Sequence, residues 1–149
     1  MMLTDKIVVI SGVGERFGKA TAHLFAREGA KVILVSRKED IVKKITEEIN
    51  KNGGKASYKI FDATSSKEVE EGMNKIAEEF GNINILFNNA GGFYSKKQKF
   101  EEMSDDFWDE VIKNNLRSIF LMSKSAIKIM KTNKRGGSII NVSAANKTL

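Results

Sequence analysis

Short apolar runs rich in β-branched residues recur at Lys6–Ile10, Lys31–Val35, Ala56–Phe61, Ile83–Phe87 and Ser138–Val142, and between most of them the apolar positions shift to a helical period. These runs predict strands. Strands that alternate with helices need right-handed crossovers and a parallel sheet, so the expected fold class is α/β with an open, doubly wound parallel sheet. Helix punctuation agrees. Gly29 follows Glu28, Gly53-Gly54 follow Asn52 and Gly81 follows Phe80, each where a left-handed C-cap is wanted. Ser65 with Glu68 predicts a capping box ahead of a helix whose Val69, Met73, Ile76 and Phe80 share one face. Ser104, followed by Asp105 and Asp106, predicts the start of the longest helix, running from about Asp105 to Lys131.

Composition narrows the classes. A chain of 149 residues is one domain in length and can bury about 70% of its unfolded surface. Cysteine is absent, which excludes disulfides, thiolate metal sites and a Cys nucleophile. With His23 as the one histidine, a metal site is not expected; His23 reads as a packing or surface residue of the first helix. The N-terminus has no apolar signal region and no stretch approaches a membrane span, so a cytoplasmic protein is expected. The net charge of +6 invites a nucleic-acid reading. Its lysines, however, alternate with Glu over Lys43–Lys51 and Lys67–Glu79, the pattern of a solvated face. The basic clusters Lys96–Lys99 and Lys128–Arg135 lack interleaved aromatics, so no nucleic-acid partner is expected.

The most telling junction is Ser11-Gly12-Val13-Gly14-Glu15-Arg16-Phe17-Gly18, between the first strand and the helix Phe17–Glu28. A strand turning sharply into a helix aims free N–H groups and the positive end of the helix dipole at one spot, which suits a phosphate. A P-loop is excluded, because position 13 is Val and Ala20 follows Gly18-Lys19. The G-x-G-x-x-G form also misses, since Phe17 stands at its third glycine and Gly18 comes one residue late.

That spacing resembles the T-G-x-x-x-G-x-G turn of the short-chain dehydrogenase/reductase family, with Ser11 for Thr, Gly12 first, Arg16 for the middle glycine and Gly18 last. The family's other marks follow at strand ends, where an open α/β sheet binds its ligand. Asp62 follows the third run, and Asn88-Asn89-Ala90-Gly91 follows the fourth. The resemblance implies a Rossmann-like, three-layer fold forming a single NAD(P)-binding domain over residues 1–149. It places Gly12, Arg16, Phe17 and Gly18 around the pyrophosphate, Asp62 and Ala63 at the adenine, and Asn88, Ala90 and Gly91 beside the ribose. After the second run stands Ser36-Arg37-Lys38, with no acid for ribose hydroxyls; Arg37 can instead fork onto a 2′-phosphate, favouring NADP with NAD as the alternative. Asn115, in Lys113-Asn114-Asn115-Leu116, matches the Asn that organises a proton-relay water.

The family's chemistry is hydride transfer between nicotinamide and a small-molecule carbonyl or alcohol, with a Ser polarising the oxygen and a Tyr-x-x-x-Lys pair moving the proton. Here the resemblance thins. The fifth run ends Asn141-Val142-Ser143-Ala144, with Ala144 where the catalytic Ser is expected, so Ser143 is the candidate hydroxyl. No Tyr is followed four residues on by Lys: Tyr58 meets Asp62 and Tyr94 meets Gln98. The chain therefore reads as the family fold truncated after its fifth strand, with an open sheet edge and low stability alone, and as a homo-oligomer in complete form. A non-catalytic nucleotide-binding module is the alternative reading.

Overall fold

The computed structural model describes residues 1–92, 99–133 and 136–143. Its five strands are β1 (Ile7–Ser11), β2 (Lys31–Ser36), β3 (Lys55–Ile60), β4 (Ile85–Asn88) and β5 (Ser138–Asn141), all parallel, in the order β3-β2-β1-β4-β5. Among the described residues five α-helices connect them: α1 (Phe17–Arg27), α2 (Glu39–Lys51), α3 (Ser66–Phe80), α4 (Asp105–Ile112) and α5 (Ser118–Met130). This is the doubly wound α/β arrangement that the alternation predicts. Alternate strand residues face opposite layers, as a pleated strand requires. Val8, Ile10, Val32 and Leu34 pack with Ala22 and Ala26 of α1 and Val42, Ile45 and Ile49 of α2. Val9, Ile33 and Val35 pack with Val69, Met73 and Ile76 of α3 and Leu121, Met122 and Ala126 of α5.

The topology fixes where a ligand can lie. From β1 the chain winds outward through β2 to β3, then returns by α3 to place β4 on the other side of β1. The connections from β1 and β4 therefore leave in opposite directions. A crevice opens between their carboxyl ends, the switch point at which open α/β sheets bind ligands.

Element ends carry the differences from expectation. Strand bounds move by one or two residues: β1 includes Ser11, β3 runs Lys55–Ile60, β4 begins at Ile85 and β5 stops at Asn141. Gly29, Gly53 and Gly81 have positive φ, as their capping places require. Only half of the capping box forms. Ser65 Oγ accepts the Glu68 N–H at 3.4 Å, but Glu68 reaches past Ser65 to accept the Asp62 N–H at 2.9 Å. The helix expected over Asp105–Lys131 starts as predicted, with Ser104 Oγ accepting the Phe107 N–H, yet a π-helical turn, Lys113–Arg117, interrupts it.

Candidate functional site

Backbone meets backbone where β1 and β4 end. Gly12 has φ of 71°, and a methyl built on it would lie 2.2 Å from Ala90 Cα, so no other residue fits beside Ala90. Asn89 Nδ2 donates to the Gly12 carbonyl at 2.8 Å, tying the two ends together, and the Gly12 N–H donates to Val35 O of β2 at 3.0 Å. Asn88 is buried. Its Oδ1 accepts the Ser11 hydroxyl at 3.3 Å, while its Nδ2 donates to Ser123 Oγ and Asn141 Oδ1 at 3.0 and 2.9 Å.

Beyond this seam α1 begins with no side-chain cap, unlike α3 and α4, and the first-turn N–H groups of any helix lack intrahelical partners. Gly18 seats the helix, since a methyl there would lie 3.0 Å from Val13 Cα, whereas Gly14 faces open space. Arg16 and Phe17 are exposed, and the Phe17 ring lies 6.0 Å from that of Phe87.

On the far side of the crevice, Arg37 Nη1 stands 3.6 Å from Asp62 Oδ2, with the arginine side chain 68% exposed. The other oxygen of Asp62 accepts the Thr64 N–H at 2.8 Å and the Thr64 hydroxyl at 2.9 Å. Partial burial acts to raise the Asp62 carboxyl. The two Thr64 hydrogen bonds and the charges of Arg37 and Lys113 outweigh it and hold the group below its ordinary value.

The π-helical turn faces both sides of the crevice. Asn115 Nδ2 donates to Val111 O at 2.9 Å and its Oδ1 accepts the Gly92 N–H at 3.2 Å; a methyl on Gly91 would lie 2.7 Å from that oxygen. Asn115 thus gives the Val111 carbonyl a side-chain donor inside the π-helical turn.

These pieces enclose a cleft of about 380 Å³ whose lining includes Gly12, Arg37, Asp62, Ala63, Ala90 and Gly91. Arg16, Phe17, Gly18, Asn88, Asn115 and Ser143 lie outside that lining; Ser143 follows β5 and is exposed. Ala144, Tyr94 and most of the Lys96–Lys99 cluster fall outside the described residues. The cleft also takes in Thr64, Glu110 and Asn114, which the strand-end motifs do not name as site residues. A legible signal existed for Thr64, because Asp followed two residues later by a hydroxyl residue is the spacing of a side-chain-closed turn. Among the described residues no group of His, Cys, Asp or Glu is arranged to hold a metal, and no helix is long and apolar enough to cross a membrane.

Strand order, layering and a cleft at the switch point define a Rossmann-like α/β domain. Residues 6–148 match the model of the short chain dehydrogenase family. Over 142 residues the chain is 39% identical to an uncharacterized oxidoreductase, YxbG, of Bacillus subtilis, covering 95% of this chain and 51% of the relative. With a 3-oxoacyl-(acyl-carrier-protein) reductase of Thermotoga maritima it shares 32% identity, covering 97% and 57%. A solved short-chain dehydrogenase/reductase from Serratia marcescens superposes with a TM-score of 0.87 at 28% identity, covering 97% and 57%. The chain belongs to the short-chain dehydrogenase family, a family of NAD(P)-using oxidoreductases. It spans about half the length of the curated relatives it matches.

Proposed function

We propose that this chain is the cofactor-binding portion of an NADP-preferring short-chain dehydrogenase/reductase that moves hydride between nicotinamide and a small-molecule carbonyl or alcohol. The observation that carries the reading is the convergence of Gly12, Arg37, Asp62, Ala90 and Gly91 on one cleft at the switch point. The cradle suits a dinucleotide because the Gly12–Ala90 seam leaves a flat backbone floor, and Gly14 opens onto free space beside the uncapped start of α1. Bound there, the nicotinamide would supply or accept the hydride.

The chain's own groups divide the remaining work. Gly12, Arg16, Phe17 and Gly18 surround the pyrophosphate with backbone N–H groups, the helix dipole and the Arg16 charge. Arg37 forks onto the 2′-phosphate, with Asp62 and Ala63 at the adenine. Ala90 and Gly91 flank the ribose, and Asn88, whose side chain is fully engaged inside the sheet, serves that wall by holding the strand ends. Asn115 orients the proton-relay water and the Ser143 hydroxyl polarises the substrate oxygen. The complete protein is a cytoplasmic homo-oligomer in this reading.

Titration of NADPH and NADH against the parent and Arg37→Asp, read from the fluorescence of the single Trp108, tests the reading. A charge-assisted contact worth about 2 kcal/mol makes the parent prefer NADPH roughly 30-fold, and the variant loses that preference. A parent that prefers NADH overturns the 2′-phosphate assignment. A parent that binds neither overturns the site.

A further inference from the structure

The π-helical turn that holds one cleft wall through Asn115 reaches the opposite wall two residues later. Arg117 Nε donates to the backbone carbonyl of Thr64 at 3.3 Å. Thr64 is buried, and its N–H and hydroxyl both go to one oxygen of Asp62, whose other oxygen faces Arg37 at 3.6 Å. A polar chain thus runs from Arg117 through Thr64 and Asp62 to Arg37. Arg117 itself does not line the cleft.

We infer that Arg117 is a positioning residue for cofactor selectivity: by fixing Thr64 it holds the Asp62 carboxylate that keeps Arg37 over the adenosine end of the cleft. The inference rests on the nucleotide reading above. Arg37 is long, flexible and mostly exposed, so left alone its guanidinium spreads over many rotamers. An ion pair at that exposure adds little energy. Its value is geometric, and it lasts only while the carboxylate stays in one orientation. The segment between β3 and α3 is anchored at its start by the Phe61 N–H on Ser36 O at 3.3 Å, and by the Ser65 N–H on Asp62 O at 3.0 Å. The second bond fixes one side of the Thr64–Ser65 peptide and leaves its other side, the Thr64 carbonyl, to find a donor of its own. Arg117 supplies a donor to that carbonyl, and without it the carbonyl gains by turning toward water, which turns the Ser65 N–H of the same peptide off Asp62 O and loosens the turn in which Thr64 grips the Asp62 carboxylate.

Two substitutions separate the hydrogen bond from the charge. Arg117→Gln places an amide N–H as many bonds from Cα as Nε, without the charge, whereas Arg117→Met fills similar space with no donor. Titration of NADPH and NADH against parent and variants, with a thermal melt of each, reads the outcome. The Gln variant is expected to keep the parental ratio of NADPH to NADH affinity within about twofold. Loss of one bond's worth of fixation in the Met variant lowers that ratio about fivefold, through NADPH. Should the Met variant fail to fold, Thr64→Val breaks the same chain one link on and is expected to lower the ratio likewise. An unchanged ratio in Met or in Val overturns the role of Arg117, as does an equal loss in Gln and Met, which would assign the effect to charge. A parent that prefers NADPH while the variants fail these expectations sinks this inference alone; a parent that binds neither nucleotide sinks the reading of the cleft with it.

Discussion

A single hydrogen atom at Gly12 decides whether two strand ends can meet. Any Cβ there would stand 2.2 Å from Ala90 Cα and 2.3 Å from Ala90 N, and both are backbone atoms that no rotamer change can move aside. The positive φ adds its own cost for an L side chain. Gly12→Ala is therefore expected to lower stability by about 3 kcal/mol or more, seen as a fall in the urea midpoint with little change in slope. Gly14 gives the contrast within the same turn. Its φ is not positive and a methyl on it meets nothing within 4 Å, so Gly14→Ala is expected to keep or slightly raise the urea midpoint. That same open space is where the pyrophosphate is proposed to lie, so the Gly14 variant should weaken NADPH binding while leaving the fold intact. Equal midpoints for the two variants would refute the argument.

Helices and strands were legible to different depths, and the reason is what each residue competes with. Val69, Met73 and Ile76 recur at helical spacing and are all buried, so the burial pattern alone marks α3. Ser65 was equally legible as its cap, because a serine before a helical period has one local use. Replacing it with Ala should cost about 1 kcal/mol in urea unfolding, with Glu68→Ala adding a separate loss through the Asp62 N–H that its carboxylate accepts. A Ser65 variant as stable as the parent would mean that water caps α3 as well. Glu68's longer reach was not legible, since the sequence shows only that an acid stands three residues on, not which free N–H lies nearer. The π-helical turn was hidden for a deeper reason. Through Val111, Ile112, Leu116, Ile119 and Phe120 the apolar positions continue a helical period, and the inserted residue shows only where Asn115 bonds both Val111 O and the Gly92 N–H.

For the molecule as a whole, the strand-end motifs located the cleft because topology alone brings the carboxyl ends of β1, β2 and β4 together, whatever their side chains do. What lay between the ends was not legible: the Thr64 lock on Asp62 and the reach of Arg117 depend on packing between segments distant in sequence. The outer surface raises a separate question. Leu116, Phe120 and Ile127 are 60%, 57% and 44% exposed on and just before α5, and β5, beside that helix, pairs only with β4 among the described residues. Apolar side chains grouped beside a free strand edge favour contact with another copy. The net charge of +6 opposes it, because like-charged copies repel. These two forces respond oppositely to salt. Raising ionic strength from about 0.05 M to about 0.5 M shortens the screening length from roughly 14 Å to roughly 4 Å, which removes repulsion and leaves apolar burial in place. Sedimentation velocity should therefore show self-association that grows with protein concentration and with salt. Phe120→Glu should weaken it by placing a charge in the centre of the exposed row. Association that instead weakens as salt rises would assign the contact to ion pairs, and a monomer at every concentration would show that the exposed row drives no assembly.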